Sequence, residues 1–100
     1  MPEAVAVQVA DDLEQVTATA GLIAHTWGTE VKLTTAGLQA GATFEAFVLG
    51  EDGTEARAGT FTAIGDETMN CNLQAYVRRD QAGGFEIRDL AGEVVISSTF

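Results

Sequence analysis

The chain has 100 residues and carries 15 Asp and Glu side chains against 5 Lys and Arg, for a formal net charge of −10. A charge of that sign repels phosphate backbones and anionic headgroups, which disfavours nucleic acid and direct membrane binding. Apolar residues make up 46% of the chain, charged residues 20% and proline a single position, so one packed core is within reach and intrinsic disorder is not expected.

Val5, Val7 and Val9 alternate near the start and predict an edge strand within a segment, 1–15, that otherwise reads as an N-terminal linker. Asp11, Asp12 and Glu14 follow, with room for one turn before Val16. From there Val16, Ala18, Ala20, Leu22 and Ala24 alternate with Thr17, Thr19, Gly21 and Ile23, then Val31 and Leu33 with Glu30, Lys32 and Thr34. A period of two sends one set to a core and the other to water, so these are two strands joined through Trp27 and Gly28.

Between Ala42 and Leu49, Phe44, Phe47, Val48 and Leu49 put apolar groups on both faces, which predicts a central strand covered on both sides. Asp52-Gly53 then signals a hairpin into Glu55–Ile64, because glycine accepts the positive φ that tight turns require. Met69, Cys71, Leu73, Ala75 and Val77 against Asn70, Asn72, Gln74 and Tyr76 form the clearest alternation in the chain. Phe85, Ile87 and Leu90 predict a sixth strand, and Val94 and Ile96 a seventh, turning at Ala91-Gly92. No segment repeats apolar residues at helical spacing, and glycines recur at the 8–12-residue beat of a sandwich. The expectation is an all-β, immunoglobulin-like antiparallel β-sandwich of about seven strands over 16–100.

Reactive residues are sparse. His25 is the only histidine, and no serine lies near it in sequence, since Ser97 and Ser98 fall in the last strand. A catalytic triad would need an accidental long-range encounter, so His25 reads as a polar residue at a strand end. Glu30, Glu45, Glu86 and Glu93 are scattered singly and read as solvated strand faces. Glu51-Asp52-Gly53 and Asp66-Glu67 lack the alternate-position acids of a calcium loop and read as turns. No phosphate-binding glycine motif occurs, and no metal or cofactor site is expected.

Cys71 is the only cysteine, and its place on the apolar side of its strand predicts a buried, inert thiol. Trp27 is expected to pack as a lid on the core, the alternative being an exposed binding anchor. Together with His25 it is the candidate partner contact.

The run His25-Thr26-Trp27-Gly28-Thr29-Glu30-Val31-Lys32-Leu33, then Gly37-Leu38, Gly41, Asp52-Gly53 and Ala58-Gly59-Thr60-Phe61, resembles a recurring bacterial domain. Asn70-Cys71-Asn72-Leu73, Arg79-Asp80 and the Arg88-Asp89 to Gly92 turn extend the likeness over about 16–99. The chain is similar to the C-terminal extracytoplasmic domain of membrane-anchored, zinc-finger-type anti-sigma factors of actinobacteria. The resemblance implies a parent with a cytoplasmic helical domain that sequesters an extracytoplasmic-function sigma factor, one membrane helix, and this outer domain.

Neither the HxxxCxxC zinc motif nor an apolar span occurs in these residues. The expected function is therefore signal input and protein binding at the outer face of the cytoplasmic membrane, without catalysis. The sigma factor would be engaged only through the parent's cytoplasmic part, and residues 1–15 would include the juxtamembrane linker unless the chain is a stand-alone relative. The competing class is a generic immunoglobulin-like adhesion or assembly module that pairs through a strand edge. Motif positions carried over from the resemblance are structural: Gly28, Gly37 and Gly41 for turns, Trp27 and Phe61 for packing.

Overall fold

The computed structural model describes residues 1–100 as a two-sheet antiparallel β-sandwich. Its strands are β1 (Glu3–Val5), β2 (Gln8–Val9), β3 (Thr17–His25), β4 (Gly28–Ala36), β5 (Thr43–Gly50), β6 (Glu55–Thr62), β7 (Met69–Ala75), β8 (Ala82–Asp89) and β9 (Val94–Thr99). A short 3-10 turn, Arg79–Gln81, precedes β8. One sheet runs β1-β3-β4-β7 and the other β2-β9-β8-β5-β6. The architecture is the expected all-β antiparallel sandwich, with nine strands in place of about seven. Its connections are rich in hairpins: β3 with β4, β5 with β6, and β8 with β9.

Alternation builds the core as the sequence pattern implies. Leu22, Val31, Leu33, Val48, Phe85, Ile87 and Ile96 are almost completely shielded between the sheets. Each such side chain contributes about 1.5–3 kcal/mol by leaving water. The buried hydroxyls are all satisfied: Thr29 Oγ1 donates to Val77 O and Thr35 Oγ1 to Thr17 O, both at 2.8 Å, and Ser98 Oγ donates to Ala6 O. These bonds tie neighbouring segments together without leaving a polar group stranded.

Four expectations need correction. The Val5, Val7 and Val9 series is not one edge strand, because the chain changes sheets between Val5 and Gln8: β1 pairs with β3 and β2 with β9. Leu90 is not in a strand but 70% exposed in the β8–β9 turn. There Asp89 Oδ1 accepts from Ala91 N and Glu93 N, both at 2.9 Å, which bends the backbone away at Leu90. A bulge then shifts β9, so that Val94 pairs with Arg88 and points out, while Val95 and Ile96 are both buried. Finally, β5 is central in its sheet, but no protein layer covers its outer side. Phe47 is roofed instead by guanidinium groups, Arg88 at 4.2 Å and Arg57 at 5.6 Å from its ring centre.

A second bulge, at Gly59 with φ +133°, explains why the inward residues of β6 change phase from Ala56 and Ala58 to Phe61. Phe61 then meets Phe44 across the strands, with ring centres 5.6 Å apart.

Candidate functional site

Thr26 and Trp27 make the two-residue turn between β3 and β4, closed by the pairing of His25 with Gly28. Leu22 is an inward position of β3, so Ile23 and His25 fall on the outer face of the first sheet. The Trp27 ring folds back over that face and stacks on His25, with centroids 4.3 Å apart and planes 6° from parallel. On its other edge His25 Nε2–H donates to Glu30 Oε1 at 3.0 Å, and the Lys32 ammonium lies 3.6 Å from Glu30 Oε2. The His25 hydrogen bond, aided by the charge of Lys32, holds the Glu30 carboxyl below the usual carboxylate range against a smaller opposing effect of burial.

This arrangement overturns the expectation that Trp27 is a core lid. The turn departs from an outward position, so the apolar surface within reach of the indole is the His25 ring, and Trp27 remains 53% exposed. Trp27 is therefore a surface residue and not a core lid. The two residues offered as candidate partner contacts stack on each other at the surface.

Tyr76 was not singled out from the sequence, yet it continues the outward series Asn70, Asn72, Gln74 and is 71% exposed. Its Cα lies 3.2 Å from where a Cβ on Gly28 would stand, which puts it beside the Trp27 turn. The signal was present in the alternation itself, since an aromatic on the water side of a strand has no packing reason to be there.

The other motif residues are structural. Gly28 does not serve a left-handed turn; it permits close approach, because a Cβ there would lie 2.0 Å from Ala75 O of β7. Gly37 combines positive φ, +91°, with an equally close contact to Gln15 O at 2.2 Å. Gly41, at φ +85°, faces open space and meets only the conformational requirement. Cys71 is half-buried and not fully enclosed as expected: it points inward opposite Leu33, but β7 is the edge of its sheet. Its partial burial pushes the thiol above its ordinary value. Phe61 is likewise half-buried, in contact with Phe44.

At the opposite end of β3 a cavity of about 230 Å³ opens between the sheets, walled by Leu13, Val16, Leu38, Phe44 and Val95 and edged by Gln15, Gln39 and Asp89. No three His, Cys, Asp or Glu side chains gather as a metal-binding group. No helix is long and apolar enough to cross a membrane. Compared with protein-family models, with curated proteins and with solved structures, the chain matches none.

Proposed function

We propose that this chain is a non-catalytic binding domain that acts outside the cytoplasmic membrane as the signal-input half of a membrane-anchored anti-sigma factor. The observation that carries the reading is the exposed, braced Trp27. The His25–Leu33 run, where the resemblance is most distinctive, forms the β3–β4 hairpin and places its indole at the surface, stacked on His25. An aromatic held rigid and half in water costs little entropy to bind with and is a typical anchor of recognition surfaces. Around it are amides, hydroxyls and one paired carboxylate, an environment suited to contact and not to bond breaking. Holding the sigma factor belongs, in this reading, to the parent's helical part.

Two experiments test the proposal. Deleting these 100 residues from the full-length protein should change transcription of the sigma-dependent genes. The isolated domain should fail to capture the sigma factor encoded beside it. Unchanged transcription would instead favour an adhesion or assembly module, and tight capture would overturn the division of labour between the two halves.

A further inference from the structure

We infer that the outer face of the β1-β3-β4-β7 sheet binds a neutral, hydroxyl-rich polysaccharide, laid along β7 with Trp27 and Tyr76 as its stacking end. The inference concerns what this face binds and stands whether or not the anti-sigma reading holds.

In a chain of net charge −10, the only charged groups at outward positions of these four strands are Glu30 and Lys32, which lie 3.6 Å from each other. Glu3, at the β1 edge, sits opposite the inward Leu22 and is engaged by Arg79 at 2.9 Å. The other sheet differs: Glu45, Glu55, Glu86, Arg57 and Arg88 crowd its outer side in ion pairs. A face this neutral on so acidic a molecule complements an uncharged ligand, because a cationic partner would be drawn elsewhere and an anionic one repelled.

The face also presents free hydrogen-bonding groups. The Lys32 ammonium, which can only donate, occupies Asn72 Oδ1 at 3.2 Å, so both amide hydrogens of Asn72 face outward. Asn70 Oδ1 likewise accepts from Thr34 Oγ1 at 2.9 Å. Gln74 and the Tyr76 hydroxyl are exposed and open to a ligand. Positions 70, 72, 74 and 76 stand about 6.8 Å apart in succession, a row of roughly 20 Å. A row of that length suits a linear chain of sugar rings, whose hydroxyls accept from the amides.

The row ends at Tyr76, beside the turn that carries Trp27. The C–H face of a sugar ring packs on an aromatic ring as other apolar surfaces do. Trp27 offers one face for this purpose, and the other is fixed against His25.

The test follows the side-chain amides of Asn70, Asn72 and Gln74 and the indole N–H of Trp27 by NMR in the ¹⁵N-labelled chain. Cellohexaose, chitohexaose, laminarihexaose and mannohexaose are titrated separately. At least one should shift these signals while leaving core amides such as that of Ile87 in place, with an affinity unchanged between low and high salt. Trp27→Ala and Tyr76→Ala should each weaken that affinity by about tenfold or more. Both side chains are exposed, and an unchanged spectrum of core amides verifies that the variants fold. Absence of any shift at millimolar sugar, a salt-sensitive affinity, or binding that survives both substitutions would overturn the inference. So would a response of this face to a basic peptide and to none of the sugars, which would make it a protein-docking surface.

Discussion

The imidazole of His25 lies flat against the indole of Trp27, 4.3 Å between centroids, with Glu30 holding the far edge of the imidazole at 3.0 Å. Trp27 thus stacks on a neighbouring ring and stays half in water. An aromatic pair of this kind contributes about 0.5–1.5 kcal/mol beyond its buried area. Trp27→Ala should therefore lower the unfolding free energy by about 1 kcal/mol, where truncating a buried aromatic costs about 3–5 kcal/mol. Urea denaturation followed by circular dichroism measures the difference. A loss in the higher range would mean that the indole supports the core.

Gly28 and Gly41 look alike in sequence but should respond by different amounts and for different reasons. At Gly28 an added Cβ would meet the Ala75 carbonyl oxygen at 2.0 Å, a backbone atom that moves only if β4 and β7 separate. Gly28→Ala should cost about 3 kcal/mol or more through overpacking and lost pairing. At Gly41 nothing lies within 4 Å, and the strain of a positive φ is the only penalty, so Gly41→Ala should cost about 1 kcal/mol. Equal losses in the two variants would remove close approach as the reason for Gly28.

Most of the fold was legible because a period of two is a geometric necessity of strands packed on one side. β3, β4 and β7 follow it without interruption, and the Asp52-Gly53 turn adopts its positive φ, +91°, at Gly53. What stayed hidden was wherever that period breaks. The bulges in β6 and β9 insert one residue each, which changes the phase between Ala58 and Phe61 and turns Val94 outward. The switch of sheets after Val5 leaves the alternation of valines intact, so the pattern could not reveal it. Phe47 needed Arg88 from β8 to shield it, a partner far away in sequence. At the candidate site, the sequence offered His25 and Trp27 as candidate contacts, but only the turn geometry showed that the indole stacks on His25 and stays at the surface.

Cys71 should react in the native protein, though more slowly than in the unfolded chain. Its sulfur points inward between Met69 and Leu73, yet β7 is an edge strand and leaves it half open. Removal from water raises the thiol above its ordinary value, so less of it is the nucleophilic thiolate near neutral pH. Labelling with a disulfide reagent should go to completion without denaturant and quicken as pH rises. A thiol silent until global unfolding would mean full burial, and one faster than the unfolded chain would mean an activated cysteine.

Glu3 in β1 is gripped by Arg79 through two bonds, Nε and Nη2 to its two carboxylate oxygens, each at 2.9 Å. Arg79 sits in the 3-10 turn before β8 and also lies 5.1 Å from the centre of the Phe100 ring, so this pair fastens the edge of one sheet to the far end of the chain. The Arg79 hydrogen bonds hold the Glu3 carboxyl below the ordinary carboxylate range, outweighing a small desolvation effect of opposite sign. Because the folded value is the lower one, the unfolded chain takes up the proton first as pH falls. The stabilisation is thus complete above the unfolded value of about 4.3 and disappears as pH drops through the folded value. Glu3→Gln should melt below the wild type at about pH 7, by a modest margin because the pair is solvent-exposed, and the gap should narrow with added salt. From about pH 7 downward the gap should close as pH passes through the folded value of Glu3, below which both side chains are neutral. Comparing the variants at each pH cancels the separate effect of acid on the chain's net charge of −10. Calorimetric scans of both proteins across that range measure it, and a gap that widens toward low pH would show that Glu3 is held protonated instead.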